Sequence, residues 1–220
     1  MLSPVNSQPL IKNPIAIFLL LAAVIFLSAS FGIYTRPLSF MAMFWLPNPL
    51  FLGLLLRFPH FQRWYGWLGA LIGYLAADLI AGTNLFLTAA LTFANMMNVI
   101  TAIILLRLTQ LDYNRFNHGL TFFYLFIIFG VSSCIGAISA ILTVPYMPNS
   151  FIPLDRIQQE FIMWWTGEIQ NMVMILPIIL TWPAWQKIKD NLPAYTHKLK
   201  QSPTIALPIL IISLSTIAAY

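Results

Sequence analysis

Seven apolar runs, each close to the length that crosses a bilayer, follow one another along the chain and leave little choice of fold. A helix rises about 1.5 Å per residue, so about 20 apolar residues cover the roughly 30 Å hydrocarbon core. The runs lie at 14–34, 38–56, 65–82, 85–106, 119–144, 157–182 and 204–220, each bounded by Pro, Gly, Asn or a charged residue. The expected fold is all-α: a polytopic transmembrane helix bundle with seven visible spans. Only 8% of the 220 residues are charged and 60% are hydrophobic, whereas soluble domains carry about 25% charged residues. So few charges cannot cover a water-facing surface. Lys12 before the first run and Ser28-Ala29-Ser30 within it resemble a cleaved signal peptide. Apolar residues continue to Tyr34 and further runs follow, so an uncleaved helix is the better reading.

Basic residues between the runs orient the bundle, because cytoplasmic segments are enriched in Lys and Arg. With the N-terminus inside, nine of them (Lys12, Arg57, Arg63, Arg107, Arg115, Lys187, Lys189, Lys198 and Lys200) fall on the cytoplasmic side. Only Arg36 and Arg156 fall outside. Residues 1–13, rich in Pro, Ser and Asn, then form a mobile cytoplasmic arm, and 14–220 form the transmembrane domain. The basic, Pro-punctuated stretch from Trp185 to Pro203 reads as an inside loop against the anionic leaflet. The seventh run stops at Ala219-Tyr220 without a polar tail, so the domain is expected to be incomplete at its C-terminus, with an eighth helix beyond.

Several classes of function find no support. The net charge of +5 comes from basic residues scattered between apolar runs, not from a stripe that would track nucleic acid. Cys134 is the only cysteine, and His60, His118 and His197 sit far apart in loops, so neither a disulfide framework nor a metal site is expected. There is no Gly-rich phosphate loop, no H-E-x-x-H and no nucleophile elbow. No catalytic residue and no cofactor is expected.

What remains are polar groups inside apolar runs, each of which needs a partner. Glu168 stands near the middle of the sixth run, in Trp164-Trp165-Thr166-Gly167-Glu168, and Asp78 stands towards the outer end of the third. One or both either face a polar cavity and take part in ligand binding or proton sensing, or are satisfied locally, Glu168 by a neighbouring helix and Asp78 by interfacial water. Asn95 and Asn98, three apart in the fourth run, share one helix face and must point at protein or water. They serve as interhelical glue or as ligand contacts. In the second run, Trp45-Leu46-Pro47-Asn48-Pro49 places two prolines among apolar residues, a local helix break that can line a cavity around Asn48. Gly69, Gly73 and Ala77 in the third run, with Ser132, Gly136 and Ala140 in the fifth, form small-residue seams for close helix packing. Trp64, Trp67, Trp182 and Trp185 read as interfacial anchors. The expected ligand-binding set is Glu168, Trp164, Trp165, Asn48, Asn95, Asn98 and Asp78.

These motifs, in this order, resemble the type-one MASE family, membrane-associated sensor domains of bacterial signalling proteins. The resemblance rests on Phe44-Trp45-Leu46-Pro47-Asn48, on Asn95-x-x-Asn98 followed by Leu105-Leu106-Arg107, and on Trp164 to Glu168 with Pro177. It covers roughly residues 14–220. It departs at Asn98, where the family usually has Glu. The resemblance implies an input domain of about eight spans in the bacterial inner membrane, detecting an unknown signal. Its expected partners are the lipid bilayer, a downstream cytoplasmic diguanylate cyclase (GGDEF) or histidine kinase domain, and a second copy in a homodimer. A substrate-binding membrane subunit of a small-molecule importer is the alternative. Such subunits commonly have six helices and dock through Ala-x-x-x-Ala in the first, and no alanine of the first run here has a partner four residues on.

Overall fold

A computed structural model describes residues 13–35, 44–111 and 119–181, and among these residues all regular structure is helical. Six α-helices follow in order: α1 (Pro14–Thr35), α2 (Pro47–Arg57), α3 (Trp64–Ile80), α4 (Leu85–Thr109), α5 (Gly119–Thr143) and α6 (Ile157–Thr181). Short 3-10 turns at Pro59–Gln62, Val144–Tyr146 and Leu154–Arg156 link them. The arm 1–12, the loop 185–203 and the run 204–220 lie outside the described residues.

The expectation of seven spans is not met among these residues. By length and composition three helical segments can cross a membrane: Pro14–Thr35, Leu85–Thr109 and Leu120–Tyr146. α3 is apolar but only 17 residues long, and α6 has the length but carries Gln158, Gln159, Glu160, Glu168, Gln170 and Asn171. α2 is the largest departure. Its 11 residues span about 16 Å, half of a hydrocarbon core. The cause lies in the two prolines. Pro47, Asn48 and Pro49 occupy the first turn of α2, where backbone N–H groups have no intrahelical acceptor and a missing N–H costs nothing. They start a helix; they do not break one.

The small-residue seams act as close-packing surfaces. α1 lies against α3 so tightly that a Cβ on Gly69 would stand 2.5 Å from the Phe18 carbonyl oxygen, and one on Gly73 would stand 2.7 Å from that of Ala22. On α5, a Cβ at Gly136 would meet Asn98 Cβ at 2.9 Å, with Ser132 and Ala140 buried one turn to either side. Ile17, Leu21 and Ile25 of α1 belong to one core with Phe51, Leu52 and Leu55 of α2 and Met172 and Leu176 of α6. The opposite face of α1 exposes Ile15, Leu19 and Leu27, and α5 exposes Leu120, Phe122 and Phe123. Large apolar side chains pointing outwards on long helices suit lipid as solvent. Trp67, expected as an anchor, instead packs edge-on against Phe51 and donates to the Gln62 carbonyl at 3.1 Å, while Trp64 is exposed at the start of α3.

The two ends of the bundle differ in chemistry. At one end Arg57 donates to the Ile179 carbonyl at 2.6 Å, and Arg107 is hydrogen-bonded to Gln62. At the other, Asn84 caps α4 through the Leu87 N–H at 3.0 Å and donates to the Pro148 carbonyl at 2.6 Å. That second bond ties the start of α4 to the turn after α5, and beside it lies the polar interior.

Candidate functional site

Glu168 is the centre of a hydrogen-bonded chain that joins four helices. The short α2 begins where it does because of Pro47, and this sets Asn48 in its first turn facing the bundle axis. Asn48 Nδ2 donates to Glu168 Oε1 at 2.9 Å and to Asn95 Oδ1 at 3.0 Å. Its own Oδ1 accepts from the Tyr74 hydroxyl at 2.6 Å. From α4, Asn98 Nδ2 donates to the second carboxylate oxygen, Oε2, at 2.9 Å. Trp45 Nε1 completes the set by donating to Asn95 Oδ1 at 2.8 Å, and Asn95 Nδ2 returns to the Leu91 carbonyl at 3.0 Å. Both hydrogens of the Asn48 side-chain amide are used, and Glu168 accepts from two amides.

The burial of this network sets its energetic weight. Asn48, Asn98, Asn95 and Glu168 have relative exposures of 0%, 1%, 2% and 4%. Buried polar groups cost about 1–3 kcal/mol each when left unpaired, so the chain is fixed as a unit or fails as one. One valence stays open: Asn98 Oδ1 is buried without a hydrogen bond, as are the hydroxyls of Thr88, Thr92 and Ser133.

Beside the network lies a half-open cavity of about 80 Å³, room for several waters or one small molecule. Glu168, Asn95, Trp45 and Asp78 line it, together with Trp164, Gly167 and Asn171 of α6, Ile33 at the end of α1 and Phe151 in the turn before α6. A Cβ on Gly167 would meet nothing within 4 Å, so the glycine leaves the space open. Asn171, 3% exposed, donates through Nδ2 to the Gly167 carbonyl at 2.8 Å. Its Oδ1 has no partner among the described residues.

Of the residues singled out in the sequence, Glu168, Asn48, Asn95 and Asn98 therefore meet in one network, and Trp164 and Asp78 lie on the wall of the adjoining cavity. Asp78 is buried, 5% exposed, so solvation at the interface does not describe it. Trp165 is a correction. It points the other way, its Nε1 donating to the Gly130 carbonyl of α5 at 2.8 Å with Phe161 beside its ring, because neighbouring helical residues diverge by about 100°. Trp45, Tyr74 and Asn171 belong to the site and were not selected from sequence. Asn171 was within reach: it follows Glu168 by three, the spacing that paired Asn95 with Asn98.

Of the three loop histidines, His60 packs edge-on against Phe58 and Phe61, and burial holds its imidazole pKa below the ordinary value. His118 and His197 lie outside the described residues.

Comparison with known proteins gives a single assignment. The family model described as MASE1 matches residues 13–219, nearly the whole chain. No curated protein matches the chain, and no solved structure does.

Proposed function

The chain belongs to the MASE1 family of membrane-associated sensor domains of signalling proteins, and from that premise we propose that it is a sensory input domain whose signal enters at the cavity beside Glu168. One observation carries the reading: a single carboxylate bridges helices α2 and α4 from its place on α6, at the edge of a cavity. A ligand or a shift in solvation at the cavity changes the partners of Glu168, and the helices must then repack. That makes the network a device with discrete alternatives, the requirement for passing a signal through a packed bundle.

The orientation read from basic residues supports the same picture. The cavity lies where α1 and α3 end and α2, α4 and α6 begin, whereas Arg57, Arg63 and Arg107 lie at the other end. With the N-terminus cytoplasmic, as the positive-inside rule requires, the cavity faces away from the cytoplasm and the basic end faces in. The proposed setting is the bacterial inner membrane, with a diguanylate cyclase (GGDEF) or histidine kinase domain receiving the signal inside, and with dimerisation of the input domain where the output works as a dimer. No catalytic role is assigned to this chain, and the importer alternative has no comparable observation behind it.

The test fills the cavity. Gly167→Leu starts a side chain in open space on the wall of the cavity. In membranes containing the full-length protein, nucleotide cyclisation or autophosphorylation, whichever the output domain performs, is measured with and without the variant at equal protein level. The reading expects output locked at one level; output that varies with growth conditions as in the parent protein contradicts it.

A further inference from the structure

Among the described residues, one outward helix face does not suit lipid. Elsewhere the large side chains that point away from the bundle are apolar, such as Leu19 and Leu27 on α1, Phe93 on α4, and Phe126 and Val131 on α5. On α6 the exposed row is Ile162, Thr166, Gln170, Met174 and Ile178, spaced by four and so forming one ridge along the helix. Gln170 stands beside the midpoint of this 25-residue helix. Among the described residues no exposed Asn, Gln, Ser or Thr other than Thr166 and Gln170 lies more than one turn from a helix end.

The two polar residues of the ridge differ in what they need. Thr166 donates its hydroxyl hydrogen to the Ile162 carbonyl at 2.7 Å and is satisfied within its own helix. Gln170 has one contact, from Nε2 to the thioether of Met174 at 3.9 Å, and thioether sulfur is a weak acceptor. Its second Nε2 hydrogen and its Oε1 have no partner among the described residues. Acyl chains offer neither donor nor acceptor at mid-depth, so an amide left among them keeps the cost of its desolvation. The occupant of this face must bring both a donor and an acceptor to Gln170.

A second copy of the chain brings both. An amide is its own electrostatic complement: about a two-fold axis along the membrane normal, Gln170 meets the partner subunit's Gln170, and each Nε2 donates to the opposite Oε1. Rows spaced by four interdigitate with the helices crossing at about −40 to −50°. Contact then centres on Gln170, and Thr166, one turn away, is small enough for the backbones to approach.

We propose that α6 carries a homodimer interface, in which the row from Ile162 to Ile178 packs on the same row of a second copy and the two Gln170 amides pair at its centre. The proposal deepens the sensory reading by naming the surface of its dimer, and rests on that reading only for the use of the dimer in signalling. Glu168 and Gln170, two residues apart, point to nearly opposite sides of α6, so the cavity and the interface share one helix.

The experiment places single cysteines in the full-length protein in native membranes, in a cysteine-free background that includes Cys134→Ser. Thr166→Cys and Met174→Cys test the row; Leu27→Cys and Phe93→Cys, outward on α1 and α4, are the controls. Oxidation by copper phenanthroline is read on non-reducing gels. The expected result is a disulfide-linked dimer from both α6 positions and none from the controls. Gln170→Leu, a change on an exposed face that leaves the buried network in place, is expected to lower the linked fraction about three- to thirty-fold at low expression. No dimer from the row, equal linking at the controls, or linking unmoved by Gln170→Leu overturns the proposal. So does a disulfide within one chain between Thr166→Cys and Ser213→Cys in place of the dimer, which would assign the face to the run 204–220. A dimer that forms as expected, with output unmoved by Gly167→Leu, upholds the interface and refutes signal entry at the cavity. Output locked by Gly167→Leu with no dimer from the row refutes the interface and leaves the sensory role.

Discussion

Asn98 Nδ2 lies 2.9 Å from Glu168 Oε2, so the one amide that stands where the family usually carries an acid donates directly to the central carboxylate. A glutamate at that position would put two carboxylates at hydrogen-bonding distance, where both cannot hold full charge without penalty. The amide turns what would be a competing charge into a partner. It also leaves Asn98 Oδ1 buried without a hydrogen bond.

Removing the donor should be costly and should depend on its partner. Asn98→Ala leaves Glu168 Oε2 without its amide and is expected to destabilise the protein by about 1–3 kcal/mol. In a Glu168→Leu background the same change should cost less, because the group it served is gone. Unfolding in mild detergent, run as a double-mutant cycle, reads the difference. Equal costs in the two backgrounds would mean that the bond contributes nothing to the fold.

Two helical glycines should respond with opposite signs. Gly69→Val drives a side chain into the α1 backbone at Phe18 and is expected to cost about 1–3 kcal/mol. Gly167→Ala meets open space and reduces the backbone freedom of a helical glycine, so it is expected to stabilise by about 0.5–1 kcal/mol. Thermal midpoints of the two variants against the parent check both signs. A neutral Gly69→Val would show that α1 and α3 do not approach as closely as described.

The polar network was legible in the sequence because hydrocarbon makes every polar group conspicuous. Glu168, Asn48, Asn95 and Asn98 each interrupt an apolar run, and the lack of water in the bilayer implies that each finds a partner. Which partners they find was not legible, since depth and rotation of helices are set by packing. Trp164 and Trp165 illustrate the limit: adjacent in sequence, they face a cavity and a neighbouring helix respectively. The prolines of α2 show another. Pro47 and Pro49 read as a break within a long span, but the same residues are at ease in a first turn, and only the fold reveals where the helix starts. Tyr74 gave no signal, being an ordinary aromatic in an apolar helix until Asn48 appears opposite its hydroxyl.

The orientation has a direct check. In a Cys134→Ser background, a cysteine at Ser150, in the turn between α5 and α6, should react with a membrane-impermeant maleimide added to intact cells. A cysteine at Arg63, before α3 at the other end of the bundle, should react only after the membrane is opened. The reverse pattern would place the cavity on the cytoplasmic side and invert the account of signal entry.

Trp45 and Trp165 separate the network from its surroundings. Trp45→Phe removes the indole N–H from Asn95 Oδ1 next to the cavity, whereas Trp165→Phe removes one from the Gly130 carbonyl on the far side of α6. Each should cost about 1 kcal/mol in stability. Only the first should change the level of output from the full-length protein at matched expression; equal effects from both would detach signalling from the cavity.

The most direct measurement is the output of the full-length protein carrying Glu168→Gln. The substitution keeps the shape of the side chain, and Asn98 can accommodate it by rotating its amide so that the open Oδ1 accepts from the new Gln nitrogen while Asn48 still donates to the remaining oxygen. Folding and membrane insertion should therefore persist, verified by protein level and thermal midpoint, while the ionisable carboxyl group at the cavity is gone. The account predicts output fixed at one level across conditions that modulate the parent protein. Output that follows those conditions unchanged, from a variant present at normal level, would reduce Glu168 to a structural hydrogen-bonding residue and contradict the assignment of the sensing site.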